Sequence, residues 1–250
     1  MTTTRSTTIP PIRNPGGHPR RDGEEPPPDA GTLPILTSRF GGIAVEYDSS
    51  VITPRPWTLL QSLWAAEPCD EVGHGRILEL CCGVGHIGLV AAMLTGRSLL
   101  QVDLDPRACA FARRNAQRVG VGDRNEVVQG SILDVTRLDE RFPVVIADPP
   151  YLPTEEVMRF PSDPVGAIDG GADGLDLLVD CITAVDAVLA RDGIALLQLR
   201  GVEQLQKLLV HVPAGLTVVE VREHDRDRAV VGLRRPVRVP AGDPAQDGRR

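Results

Sequence analysis

From residue 42 onward the apolar positions keep two rhythms, short unbroken runs and spacings of three and four, and the two alternate down the chain. Apolar runs rich in β-branched residues and bounded by Gly or Pro read as strands, and apolar residues at i, i+3 and i+4 read as helices. Gly42 to Tyr47 alternates like a short strand, and Trp57 to Ala66 has the pattern of an amphipathic helix. Arg76 to Leu80 is an apolar strand that runs into Cys81-Cys82-Gly83-Val84-Gly85-His86 and then a helical pattern from Ile87 to Leu94. Ser98 to Asp103 is a second apolar strand, ending in an acid. Asp105 before Pro106 then caps a helix to about Val119. Asn125 to Gln129 is a short strand, and Val144 to Ala147 is a buried strand that empties into Asp148-Pro149-Pro150-Tyr151. Leu175 to Leu189 is a helix with Leu177, Leu178, Cys181, Ile182, Val185 and Leu189 on neighbouring turns. Gly193 to Leu199 reads as a buried strand, Val202 to Leu209 as a helix, and Leu216 to Val221 with Ala229 to Leu233 as a closing hairpin.

Strands and helices in alternation, finished by a hairpin, predict an α/β domain with a mostly parallel sheet and an antiparallel edge. That domain is expected over residues 35–235. Residues 1–34 carry Pro-Pro, Pro-Gly-Gly and Pro-Pro-Pro runs without apolar periodicity, and residues 236–250 repeat that composition, so both are expected to be disordered tails. No signal-peptide run and no stretch of ~18 apolar residues occurs, which points to a cytoplasmic protein without membrane contact.

The net charge is −7 and the pI about 5.3, and the basic side chains are 26 Arg against the single Lys207. So lopsided a ratio reads as a coding bias rather than a phosphate-binding surface. Arg113, Arg114 and Arg118 fit a solvated helix face, and no basic stripe of a nucleic-acid enzyme is visible. Cys69, Cys81, Cys82, Cys109 and Cys181 form no C-x-x-C pair, so neither a zinc site nor a disulfide framework is expected. His18 lies in the tail, His211 and His224 lie near element ends, and His86 borders the glycine turn, where packing over a ligand is its expected role. No Gly-x-Ser-x-Gly nucleophile elbow appears.

Candidate chemistry gathers at strand ends, where open α/β sheets bind ligands. The strand, glycine turn and helix from Arg76 to Leu94 form a nucleotide cradle, because Gly permits positive φ and close backbone approach, with a helix N-terminus facing the ligand. Asp103 follows where an adenosine ribose would present its hydroxyls, with Asp105 as the competing carboxylate. In the loop after Ala147, Asp148 can accept a hydrogen bond from an amino group. Pro149 has only a carbonyl to offer, and Tyr151 can stack on a flat amide or base.

These sites together resemble the class I S-adenosylmethionine-dependent methyltransferases. Asp148-Pro149-Pro150-Tyr151 is similar to the (Asn/Asp)-Pro-Pro-(Tyr/Phe) signature of enzymes that methylate planar nitrogens. Ala167 to Leu178, with Asp169-Gly170-Gly171-Ala172-Asp173-Gly174-Leu175, resembles a segment of the release-factor glutamine methyltransferases, as does Thr53-Pro54-Arg55-Pro56. The similarity runs from about Ile43 to Arg235. It implies a Rossmann-like, doubly wound, mostly parallel seven-stranded sheet with an antiparallel C-terminal hairpin. It implies S-adenosyl-L-methionine as cofactor, with Glu79, Cys81, Cys82, Gly83, Val84, Gly85, Asp103, Ser131, Ile132 and Asp148 binding it and no metal. Asp148, Pro149, Pro150 and Tyr151 carry catalysis in that reading. The acceptor is a planar amide nitrogen, first a protein glutamine; the alternatives are a nucleobase amino group (adenine N6 or guanine N2) on RNA or DNA, or a small molecule.

Three departures stand out. Cys81 occupies the family's first glycine position, Asp148 replaces the more frequent Asn, and Gly130-Ser131-Ile132 lacks an acid where many relatives hold the adenine amino group. The helical N-terminal domain that helps those enzymes dock their protein substrate is expected to be missing.

Overall fold

The computed structural model describes residues 33–68 and 71–236. The two expected tails fall almost wholly outside the described residues, as do His18 and Cys69. The chain opens on a two-stranded sheet, β1 (Leu36–Phe40) and β2 (Ile43–Tyr47). Phe40 faces Ile43 across Gly41 and Gly42, whose φ values of 53° and 89° give the twist that a two-residue hairpin loop needs. β2 agrees with its alternating sequence. β1 escapes sequence reading because only Phe40 of its residues is fully buried, which leaves no period-two signal.

A 3-10 turn (Pro56–Thr58) leads into α1 (Leu59–Ala66). Then follow β3 (Ile77–Leu80), α2 (His86–Thr95), β4 (Leu99–Asp103), α3 (Pro106–Arg118), β5 (Asn125–Gln129) and β6 (Phe142–Ala147). The remainder is α4 (Asp176–Val188), β7 (Leu189–Leu199), α5 (Val202–Leu208), β8 (Thr217–Asp225) and β9 (Arg228–Arg234). Strands β3 to β9 make one seven-stranded sheet in the order β5-β4-β3-β6-β7-β9-β8. β3 to β7 run parallel, and β9 runs antiparallel to both neighbours.

Side chains alternate between two cores across this sheet. Leu78, Leu80, Val145, Ala147, Leu197 and Leu199 pack with α4 and α5, while Ile77, Leu99, Val144, Ile146 and Leu196 pack with the hairpin, α1, α2 and α3. Strands covered on both faces are therefore largely apolar, with Glu79, Gln101 and Gln198 as the buried polar exceptions. The expected boundary at α4 shifts: the helix stops at Val188 and β7 begins at once, four residues before Gly193. The early start is possible because Leu189 pairs with Phe142 across an irregularity, with Gly193 packed where a Cβ would lie 2.9 Å from the Pro143 carbonyl. The chain moves outward from β3 to β5, then returns to β6 on the other side of β3, so the switch in winding leaves a crevice at the carboxyl ends of β3 and β6.

Candidate active site

The turn after β3 is shaped by left-handed backbone. Cys81, Gly83 and Gly85 have φ of 54°, 52° and 83°, and Gly85 is the N-cap of α2. Cys81 is thus an L residue where glycine is sterically cheaper, and among the described residues it is the only non-glycine with positive φ. A Cβ on Gly83 would touch only Ile52, at 3.6 Å, so the backbone there lies open to a ligand. The Gly83 N–H donates to Asp103 Oδ2 (2.7 Å), and the other oxygen of Asp103 accepts from the Asp105 N–H (2.9 Å). Burial pushes the Asp103 carboxyl up, with those N–H donors pulling it back. Asp105 caps α3 through the Arg107 N–H, as its sequence implies.

Three members of the expected cofactor set sit differently from a direct contact. Glu79 is buried beneath the turn, where it accepts from the Gly88 N–H (3.0 Å) and from Gln101 Nε2 (2.5 Å); desolvation pushes its carboxyl up to about 8. Glu79 therefore holds the turn onto α2 rather than facing the crevice. Cys82 and Val84 are buried as well, so whatever they present to a ligand is backbone; the Val84 carbonyl already accepts from Asn115 Nδ2 (3.0 Å). Ser131 begins a 3-10 helix (Ile132–Arg137) with a reciprocal cap: its hydroxyl accepts from the Leu133 N–H, and Asp134 accepts from the Ser131 N–H. The Ser-x-x-Asp spacing signals that cap. His86, buried against the Phe40 ring (4.6 Å between centroids) and Thr58, is a core residue, with its imidazole pushed down to about 3 by desolvation.

At the end of β6, Gln61 of α1 donates to the Ala147 carbonyl (2.9 Å) and to the Leu196 carbonyl (3.1 Å), which fixes the strand end before the Pro-Pro loop. The Asp148 carboxylate makes no hydrogen bond among the described residues. Burial pushes its carboxyl up to about 7, against a smaller opposing pull from Arg55. Desolvation also raises the Tyr151 phenol, whose hydroxyl meets the Trp57 indole. The glycines of the 169–174 segment are buttresses of this loop. Leu152 forms a bridge with Asp169, and Cβ atoms on Gly170 and Gly174 would stand 2.8 Å and 2.5 Å from the Pro150 and Tyr151 carbonyls. Gln204 of α5 closes the joint by donating to the Tyr151 carbonyl (2.9 Å) and the Gly174 carbonyl (3.1 Å).

Asp148, Pro149, Pro150 and Tyr151 line a cavity of about 500 Å³. Its other walls come from sequence-distant residues, including Ile52, Trp57, Phe160, Arg200 and Arg228. The Arg228 guanidinium lies 3.8 Å from the Trp57 ring centroid and that of Arg55 5.7 Å. Arg55 pairs with Asp163, Arg200 with Glu156 and Arg228 with Asp225, so the lining is charged but balanced. Ile52 lies between the two sites, since it is the side chain that a Cβ on Gly83 would meet and it lines the cavity. Sequence reasoning passed over Trp57, Asn115, Gln61 and Gln204. Their only local signal is a polar or aromatic residue on an otherwise apolar stretch.

Residues 59–159, from α1 through the Asp-Pro-Pro-Tyr loop, match the family model of the methyltransferase small domain. The chain resembles the class I methyltransferases. Over 204 residues this methyltransferase is 26% identical to the release factor glutamine methyltransferase of Clostridium acetobutylicum, covering 78% of this chain and 72% of that one. It is 25% identical over 175 residues to the ribosomal protein uL3 glutamine methyltransferase of Francisella tularensis subsp. tularensis, covering 66% of this chain but 55% of that one. A crystal structure of ribosomal protein L11 methylase from Lactobacillus delbrueckii subsp. bulgaricus shares the fold, with a TM-score of 0.56 at 17% identity over 75% of this chain and 83% of that one. Resemblance to that class implies S-adenosylmethionine as methyl donor. The open backbone at Gly83, the α2 N-terminus and the Asp103 carboxylate fit such a nucleoside. Among the described residues no helix is long and apolar enough to cross a membrane.

Proposed function

We propose that this methyltransferase acts on the side-chain amide nitrogen of a glutamine in a protein. The observation that carries the reading is Asp148, a carboxylate at a strand end with no hydrogen-bond partner of its own, set in a cavity beside Tyr151 and next to the cofactor turn. A half-buried carboxylate left without a partner in a cleft marks a place kept for a ligand.

In this reading Gly83, Gly85 and the rest of the turn from Cys81 hold the donor by backbone, Asp103 takes the ribose hydroxyls, and Ser131 and Ile132 border the base. Glu79 stiffens the turn from beneath. The donor, when bound, supplies an electrophilic methyl group on a sulfonium.

An amide nitrogen is a weak nucleophile because its lone pair is delocalised into the carbonyl. Asp148 and the Pro149 carbonyl accept hydrogen bonds from its two N–H groups, and these contacts strengthen as positive charge grows on nitrogen, which stabilises the transition state more than the bound ground state. The proton that the methylated nitrogen sheds passes to Asp148 or to water. Tyr151 lies flat against the carboxamide and sets its plane. Pro149 and Pro150, locked in φ, keep the acceptors rigid. The rest of catalysis is placement of the nitrogen within ~3 Å of the methyl carbon.

The names of the relatives support a protein glutamine as acceptor, and the balanced lining of the cavity offers no unpaired cation to a phosphate backbone. Mass spectrometry of proteins from cells with and without this chain tests the reading. A glutamine carrying one extra methyl only when the chain is present is the expected result. Methyl label confined to nuclease-sensitive material would overturn it in favour of a nucleobase.

A further inference from the structure

We propose that the segment from Thr154 to Ile168 is the surface on which the polypeptide flanking the acceptor glutamine docks, with Phe160 as its anchor. The inference rests on the glutamine reading and adds the partner-binding surface of that site. Phe160 lines the cavity that holds Asp148, yet it is 43% exposed, so the wall of the cavity and the outer surface are the same side chain. On the same segment Met158 is 82% exposed and Val165 58% exposed, whereas Val157, next to Met158, is buried. Exposed Met and aromatic side chains in one patch are the composition of a protein-contact surface.

Three polar contacts fasten the segment to the body, while Glu155 and Arg159 stay exposed. Glu156 pairs with Arg200, Asp163 with Arg55, and Asp169 accepts from the Thr154 hydroxyl. Met158, Phe160 and Val165 thus stand exposed on a segment that its other side chains hold in place. A cavity of about 500 Å³ suits a drug-sized group rather than one carboxamide. A glutamine that reaches Asp148 leaves its backbone and neighbours at the mouth, where Phe160 stands. With Arg55, Arg200 and Arg228 each paired to an acid, the occupant meets no unpaired cation at the lining. That chemistry fits an uncharged stretch of polypeptide.

The test is transfer of tritiated methyl from S-adenosylmethionine to nuclease-treated protein from cells lacking this chain, titrated over protein concentration. The full chain is compared with Phe160→Ser and with Met158→Ser/Phe160→Ser. The expected result for the double variant is a fall of ~10-fold or more in rate at low acceptor concentration, with the plateau rate within ~2-fold and unchanged affinity for the donor, the signature of lost acceptor binding. Unchanged donor affinity also shows that the variant is folded. Raising the salt from ~50 to ~200 mM should leave the wild-type rate almost constant, in contrast to a phosphate-dependent partner. A double variant that labels protein as the wild type does, or that loses plateau rate at unchanged half-saturation, overturns the docking surface alone. Wild-type label absent from protein and present in nuclease-sensitive material overturns the glutamine reading and the surface with it.

Discussion

Asp148 gives the site its own pH dependence. Its carboxyl is pushed from 3.8 up to about 7, so below neutrality it carries a proton and has lost most of its acceptor strength. Turnover at saturating donor and acceptor should rise with pH up to about 7 and then level, and Asp148→Asn, which keeps an acceptor oxygen without titrating, should flatten that limb. Asp148→Ala should lower turnover by ~10-fold or more with little change in donor affinity. The stability consequence has the opposite slope. Between roughly pH 4 and pH 7 the folded chain holds a proton at Asp148 that the unfolded chain releases, and Glu79 extends the window to about 8, so stability falls as pH rises through it. Melting curves at pH 5 and pH 8 should show the drop, reduced in Asp148→Asn. Asp103→Ala should weaken donor binding by ~1–3 kcal/mol through loss of charge-assisted hydrogen bonds. Calorimetry on the folded variant reads this directly, and unchanged affinity would move the ribose contact to Asp105. At this scale the sequence was informative wherever chemistry is contiguous: Asp148 to Tyr151 and the acid ending β4 are legible from neighbours alone. Trp57 and Gln204 were not, because the first acquires meaning from Arg228 and the second from Tyr151, 53 positions away.

Among the elements, Asn115 of α3 ties the hairpin of β1 and β2 to the glycine turn. Asn115 is fully buried, accepting from the Glu46 N–H (2.8 Å) and donating to the Glu46 and Val84 carbonyls (3.0 Å each). Asp48, just past β2, is buried and held by Arg107 and Ser50. Asn115→Ala leaves a strand N–H and a turn carbonyl without partners and should cost ~1–3 kcal/mol in urea unfolding, with m unchanged. Donor affinity should fall alongside, since the same side chain holds the glycine turn. Periodicity placed nearly every helix and strand within a few residues, because two-sided burial makes the apolar pattern strong. It failed at β1, where one face is open, and at the start of β7, where pairing with Phe142 overrides the helical pattern.

For the whole molecule, two apolar cores share one sheet, and the crevice between β3 and β6 is set by strand order rather than by any loop. Alternation of elements with a closing hairpin was enough to foresee this class of architecture; which strands would be neighbours was not foreseeable, since pairing depends on contacts far apart in sequence. The position of β9 between β7 and β8 has a bearing on biosynthesis. A chain emerging from its N-terminus first completes β3 to β7, then makes β8, which has nowhere to pair until β9 follows. Until then the apolar rim of β7 from Ala195 to Leu199 is an open edge, the kind of strand on which nascent chains aggregate. A chain stopped after Asp225 should therefore lose the register of β8 together with β9 and collect in the insoluble fraction. Adding the missing strand in trans, as a peptide spanning Arg228 to Arg234, should restore part of the soluble yield.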